Sequence, residues 1–329
     1  MPELGLFVLV IVLAIGFAVI NGFNDAANAI ATVVGTRVLS PLRAVVMAAI
    51  LNFAGAATGL AVAVTIGKGI IDPAMLGYDV MLAALIAVIA WGFTATRLGL
   101  PVSISHSFIA GLVGAGIAAA GTADVIIWGG FGRVLSAVAV APTLGFAAGL
   151  LVMTLLMWIL RRQAPLKVEG IFSRLQILSA AFMAYSHGKN DGQMPIGIIA
   201  MALMIHTGGE FHIPFWVIAV SAISIAFGTA FGGWRVIRTL GMRITALRPV
   251  HGFAAETSAA AVVEAASALG IPVSTTHCIS SAIMGVGTAK RLSAVRWGIA
   301  RSIVLAWIMT FPICAAIGWL VAWLFRLAA

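Results

Sequence analysis

Leu98-Gly99-Leu100-Pro101-Val102-Ser103-Ile104-Ser105-His106 returns 171 residues later as Leu269-Gly270-Ile271-Pro272-Val273-Ser274-Thr275-Thr276-His277. Other matches flank it in the same order. Gly22-Phe23-Asn24-Asp25 returns as Gly188-Lys189-Asn190-Asp191, and Trp128-Gly129 and Pro142 return as Trp297-Gly298 and Pro312. All offsets lie between 166 and 171 residues. Chance supplies one such match, but a run of them implies two homologous halves. The halves divide the chain into residues 1–174 and 175–329.

The composition sets the medium. Hydrophobic residues make up 62% of the 329 and charged residues only 9%, against about 25% charged in soluble domains. Met47 to Ile66, Leu135 to Leu160, Phe215 to Phe231 and Ile303 to Leu324 approach or exceed the roughly 20 residues that cross a hydrocarbon core. Apolar runs cover the whole length, so the halves form a single membrane domain. The net charge of +9 does not mean nucleic-acid binding, because the basic residues sit in short loops between apolar runs. Cys278 and Cys314 are too few for a disulfide or metal framework. The first apolar run lacks a basic lead and a small-residue cleavage pattern, so it reads as a retained span.

Charge orients the spans. Fourteen of the nineteen Lys and Arg fall at Arg37 and Arg43, at Arg161, Arg162, Lys167 and Arg174, at Arg235, Arg238, Arg243 and Arg248, and at Lys290, Arg291, Arg296 and Arg301. The positive-inside rule assigns these loops to the cytoplasm. Glu3, Asp72, Asp79, Asp124 and Glu210 then lie outside. Residues 5–36 cross inward, 44–66 outward, a hairpin over 80–120 starts and ends outside, and 134–160 cross inward. The second half begins inside: 175–205 outward, 214–233 inward, a hairpin over 253–289 returning inside, and 302–325 outward. The expected fold is therefore an all-α polytopic membrane protein of two inverted-topology repeats with paired helical hairpins. It is multi-pass in the plasma (inner) membrane, with residues 1–4 and 326–329 both extracytoplasmic.

Two constellations carry chemistry. Asn24, Asp25 and Asn28 share a helical face in an apolar stretch, and Asn190, Asp191 and Gln193 are their counterpart. Carboxylates inside a membrane cost roughly 2.5–3.5 kcal/mol and mark functional sites. Carboxylate and amide oxygens suit a hard cation such as sodium, above all at Asp25 and Asp191, and a carboxylate also holds a proton. Pro195 leaves the carbonyl of Asp191 without its helical donor, which adds a ligand. The plain alternative is that both acids cap or glue packed helices. Glu256 has no match in the first half and joins the cation or proton set. Lys189 either snorkels to the cytoplasm or pairs with an acid.

The second constellation is the pair of tips. Leu-Gly-x-Pro is a break followed by a helix start, and Ser103, Ser105, Ser274, Thr275 and Thr276 follow at once. A helix N-terminus offers free N–H donors and about half a positive charge, so it receives anions. Two tips entering from opposite sides give a tetrahedral oxyanion donors on several faces. Ordinary capping is the alternative for each hydroxyl. His106 and His277 close the tips and either touch the anion or orient a hydroxyl.

These motifs resemble those of the PiT inorganic phosphate transporters. Gly22 to Ala29 looks like the family signature and Ser186 to Asp191 like its second copy. The two Pro-Val-Ser-x-[Ser/Thr]-His tips are similar to its repeated motif, and the likeness covers about residues 16–315. It implies a secondary transporter taking up orthophosphate with sodium or protons, embedded in membrane lipid and commonly a homodimer. The Lys189-Asn190-Asp191-Gly192-Gln193 and Ile104-Ser105 variations depart from the commoner pattern, and sulfate permeases resemble the same family. A membrane-embedded Ser, His and Asp hydrolase fits less well, because every candidate residue occurs twice in inverted halves. A passive channel leaves the buried acids without a purpose. No Gly-x4-Gly-Lys-[Ser/Thr] loop for ATP occurs. The chain is thus expected not to be an enzyme and to need no cofactor beyond a coupling ion.

Overall fold

The computed structural model describes residues 2–72 and 76–328. Met1 and Ala329, the outermost members of the two termini assigned to the exterior, lie outside the described residues. The first half comprises α1 (Pro2–Gly35), α2 (Pro41–Ala56), α3 (Ala61–Lys68), α4 (Tyr78–Leu98), α5 (Ile104–Ala120) and α6 (Trp128–Leu160). The second half follows in the same pattern. It contains α7 (Pro165–Asp191), α8 (Gln193–Thr207), α9 (Phe215–Phe231), α10 (Trp234–Arg238) with a π turn (Thr239–Arg243), α11 (Pro249–Ala268), α12 (Thr275–Lys290) and α13 (Trp297–Ala328). Residue 174 therefore falls inside α7, which begins at Pro165 after a short basic turn.

Among the described residues four helices are long and apolar enough to cross a bilayer, and two bent pairs reach that length together. The bends are the main departure from the sequence reading. Residues 44–66 are expected as one crossing, but α2 and α3 meet within it at 70°. The crossing expected at 214–233 matches α9, and the chain bends by 62° just beyond it into the α10 segment. Thr58-Gly59 and Gly232-Gly233 lie at the breaks, and Gly59 and Gly232 both adopt positive φ. The crossing expected at 175–205 breaks at Gly192, while its counterpart α1 runs on unbroken. Each half has one helical hairpin, α4–α5 and α11–α12, and ends in one long helix with an internal proline, α6 and α13, as a pair of repeats requires.

The halves interlock. α5 packs on α13 and α12 on α6, so each hairpin's second arm lies on the long last helix of the other half. α1 packs on α9 and α2 on α7 in the same crossed manner. Small residues let helix backbones approach in lipid, where no hydrophobic force draws them together. A Cβ at Gly188 would stand 2.2 Å from the carbonyl oxygen of Asn52, and one at Gly22 2.1 Å from that of Ile225. These two glycines are repeat mates. Glycine is therefore required where each motif-bearing helix crosses its neighbour.

Candidate functional site

The hairpin tips are built alike. Gly99 and Gly270 turn the chain at φ 72° and 66°, a conformation that favours glycine. Ser103 and Ser274 follow as N-caps, accepting from the backbone N–H of His106 at 3.2 Å and of His277 at 3.1 Å. For these two serines the capping role applies. The next hydroxyls do something else. Ser105 donates to Asp191 Oδ1 at 2.5 Å and Thr275 to Asp191 Oδ2 at 2.6 Å. Thr276 donates to Asp25 Oδ1 at 2.9 Å. Asn28 donates from Nδ2 to Thr275 and Thr276 at 3.0 and 2.9 Å. One carboxylate thus joins both tips, and the two constellations are a single buried site.

A third group completes it. His187 Nε2 lies 3.3 Å from Asp191 Oδ2 and 3.9 Å from Asp25 Oδ2. Asp25, His187 and Asp191 are all buried and offer ligand atoms within 4.8 Å of one another. His187 Nδ1 sits 2.9 Å from Asn52 Oδ1, and Asn52 donates to Thr229 at 2.9 Å. This chain reaches the site from α2 and α9. The sequence reading assigned no role to His187, although its i,i+4 spacing from Asp191 was the available signal. Asn52 and Thr229 had none, since their partners are far apart in the chain.

The remaining predicted residues divide. Asn24 donates to Thr96 at 2.6 Å, and Asn190 donates to the Val273 carbonyl at 2.7 Å while accepting from Ser267 at 3.2 Å. Each asparagine therefore ties its motif to the first arm of its own hairpin. Asn190 also donates to Asp191 at 3.2 Å. Gln193 turns away: its Oε1 accepts from the N–H groups of Val62 and Ala63 at 2.9 and 3.2 Å. It thereby caps the start of α3. His106 and His277 face one another at 5.2 Å between ring centroids, with His277 also against Trp307 at 4.1 Å. Lys189 pairs with Glu264 at 2.7 Å, which settles its two readings in favour of the acid.

Glu256 heads a separate polar cluster. It is fully buried and accepts from Thr32, Ser179 and Gln176. Thr36 supports Gln176 at 2.8 Å. The repeat-related positions in the other half are Leu85, Ile198, Leu13 and Val10; three belong to one apolar cluster and Leu13 packs against it. The cluster is thus polar in one half and apolar in the other.

The central residues suit the ions that the sequence implies. Asn21, Asn24 and Asn28 keep buried carbonyl oxygens that find no partner among the described residues. So do both ring nitrogens of His106 and of His277. Buried polar groups without partners are uncommon and need a reason. Amide and carboxylate oxygens are the ligands of a hard cation, while imidazole N–H groups and hydroxyls serve an oxyanion.

Known proteins share the sequence and the fold. The family model for the phosphate transporter family matches twice, over residues 21–169 and 161–318. The chain belongs to the phosphate transporter family. A probable low-affinity inorganic phosphate transporter of Rhizobium meliloti is 47% identical over 315 residues, covering 95% of this chain and 94% of its own. One of the same description from Bacillus subtilis is 42% identical over 318 residues, covering 95% of each. A solved structure described as the sodium-dependent phosphate transporter superposes with a TM-score of 0.88 at 29% identity, over 99% of this chain and 100% of its own. The two family matches correspond to the two sets of helices. This member of the phosphate transporter family is therefore a multi-pass membrane transporter and not an enzyme.

Proposed function

We propose that the protein is a secondary active transporter that carries inorganic phosphate together with sodium by alternating access. The observation that carries this reading is the shared carboxylate: Asp191 accepts from Ser105 of one tip and Thr275 of the other. A cation at Asp25 and Asp191 would draw the carboxylates from the hydroxyls. Ser105, Thr275 and Thr276 would then be free to donate to the anion, with His106 and His277 behind them. Ser103 and Ser274 shape the tips, and Asn24, Asn28 and Asn190 orient the acids. Gln193 acts at one remove through α3. Cation and anion binding are thus linked through one set of donors, which is what coupling requires. The sodium dependence of the structural relative favours sodium over protons.

Phosphate is preferred over sulfate on chemical grounds. Phosphate at neutral pH is partly protonated and donates as well as accepts. Sulfate only accepts and would face Asp25 and Asp191 without a proton to offer. Glu256 is a second coupling group, a buried acid set between α1, α7 and α11. The protein works in the plasma membrane, as a lipid-embedded homodimer with both termini extracytoplasmic and two inverted repeats that meet in the basic turn between α6 and α7. Proteoliposomes given separate sodium and proton gradients test the coupling. Phosphate uptake driven by sodium alone supports the reading, and equal uptake without either gradient would leave a passive pore. Cysteines introduced at Leu4 and Leu327 test the orientation, since protection of both from an impermeant reagent refutes it.

A further inference from the structure

Two threonines far from the motifs meet the two tips in the same way. Thr65 of α3 donates to the Gly270 carbonyl at 2.7 Å, and Thr239 of the π turn donates to the Gly99 carbonyl at 2.9 Å. Thr65 and Thr239 are related by an offset of 174 residues, and Gly99 and Gly270 by 171. Each contact crosses between halves. The second limb of each bent pair thus reaches the left-handed glycine of the opposite hairpin. The bends bring these limbs to the tips, so the contact accounts for the break that a straight crossing would not need.

Each hydroxyl also has a second acceptor. Thr65 Oγ1 lies 3.2 Å from the Ala61 carbonyl and Thr239 Oγ1 lies 3.0 Å from the Arg235 carbonyl, both four residues back. A threonine hydroxyl carries one proton. It gives that proton either to the tip or to its own helix, a bond that threonine readily makes. Leaving a buried donor unpaired is what makes a contact costly to break. Here release of the tip strands no donor.

We propose that Thr65 and Thr239 are positioning residues that latch the two tips, one on each side of the site, and that they release in opposite halves of the transport cycle. This rests on the alternating-access reading above. In the orientation given there, α3 lies in the outer half and meets the hairpin rooted in the cytoplasm. Its bond to Gly270 closes the outer route. The π turn lies in the cytoplasmic half, and its bond to Gly99 closes the inner route. The tip at Gly99 has an extra clasp, since Arg235 donates to the Arg97 carbonyl. No such clasp accompanies Thr65 among the described residues.

The test uses Thr65→Val and Thr239→Val, with Thr65→Ser and Thr239→Ser as conservative partners. Hydrogen exchange of the full-length protein, without any anion, reports the latches whatever the substrate is. Thr65→Val should speed exchange across residues 268–275 alone, and Thr239→Val across 98–105 alone. Phosphate uptake into oriented proteoliposomes reports their consequence. Apparent affinity scales with the fraction of outward-open protein. Because the hydroxyl keeps an acceptor in its own helix after release, valine removes only the difference between two hydrogen bonds, and the external KM should fall about twofold in Thr65→Val and rise by a similar factor in Thr239→Val. Serine at either position should restore both readouts. Opposite signs on exchanged sides would keep the latches and reverse the orientation. KM shifts of the same sign, or exchange that changes at neither tip, would overturn the proposal. Wild-type protein that moves no phosphate while the exchange pattern holds would refute the transport reading and not the latches.

Discussion

Replacing Asp191 by asparagine separates a cation site from a structural bracket, because the first reading predicts lost uptake in a stable protein and the second a large loss of stability. The carboxylate accepts from Ser105, Thr275 and Asn190 and faces His187. An amide keeps one acceptor oxygen, so at least one of these donors loses its partner. Hydrogen bonds to a charged group are worth about 1.5–3 kcal/mol each, against about 1 kcal/mol for a neutral bond. The local loss is therefore about 2–4 kcal/mol. Removing the charge from a residue that is only 1% exposed also relieves several kcal/mol of desolvation. The terms nearly cancel, and Asp191→Asn should melt within a few degrees of the wild type. The cation has no such compensation. A unit charge about 4 Å away at an effective dielectric of 20 contributes about 4 kcal/mol, which is close to a thousandfold in affinity. Sodium-driven phosphate uptake in proteoliposomes should fall by at least a hundredfold, with the variant still folded by thermal unfolding in detergent. Uptake above roughly a tenth of wild type would refute the cation role. A collapse of the melting temperature would instead favour the bracket.

Three further outcomes are expected. Excess arsenate, which shares the protonation of phosphate, should compete strongly for uptake and sulfate weakly, since unpaired buried acceptors cost roughly 1–3 kcal/mol; equal competition would remove the basis for phosphate selectivity. Gly188→Val should destabilise by about 3 kcal/mol or more, because its Cβ would meet the Asn52 carbonyl at 2.2 Å, whereas Gly129→Val, with nothing within 4 Å, should melt like the wild type. Glu256→Gln should retain phosphate binding but lose most sodium-stimulated uptake, as measured by equilibrium binding beside flux; parallel loss of both would make Glu256 part of the anion site instead.

The repeat, the hairpins and the inverted order were legible because they are written locally. A nonamer recurs with its Gly, Pro and cap serine, and each of those residues has one backbone task. The site residues were legible for a related reason: acids and hydroxyls in apolar surroundings announce themselves. Their pairing was not. That Asp191 rather than Asp25 receives both tips depends on how α7 lies against α5 and α12, and spacing says nothing of it. Gln193 was grouped with the acids because it follows them by two residues, yet its side chain caps α3. Its position was readable but its direction was not. The bends were missed because hydropathy counts apolar residues and is blind to the angle at Gly59 or Gly232. Thr65 and Thr239 looked like ordinary span residues, since their partners are glycines more than a hundred residues away.

The differences between the halves follow a rule that the matches conceal. His187 stands where the first half has Asn21, Lys189 and Glu264 where it has Phe23 and Phe93, and Glu256 where it has Leu85. In each case the ionisable group belongs to the second half. An uncharged polar contact also differs between the halves: Trp91 bonds Thr310 at 3.0 Å to join α4 to α13. The matching contact of α11 with α6 has Val262 and Ala141 along an apolar groove. Elements that must act on both sides of the site, the tips and their asparagine–aspartate motifs, are kept in duplicate. A buried ionisable group costs several kcal/mol, and a copy on the far side would double that cost while giving each face the same affinity for a coupling ion. With such groups confined to one repeat, the two sides of a pseudo-symmetric frame differ in polarity while the tips between them stay alike.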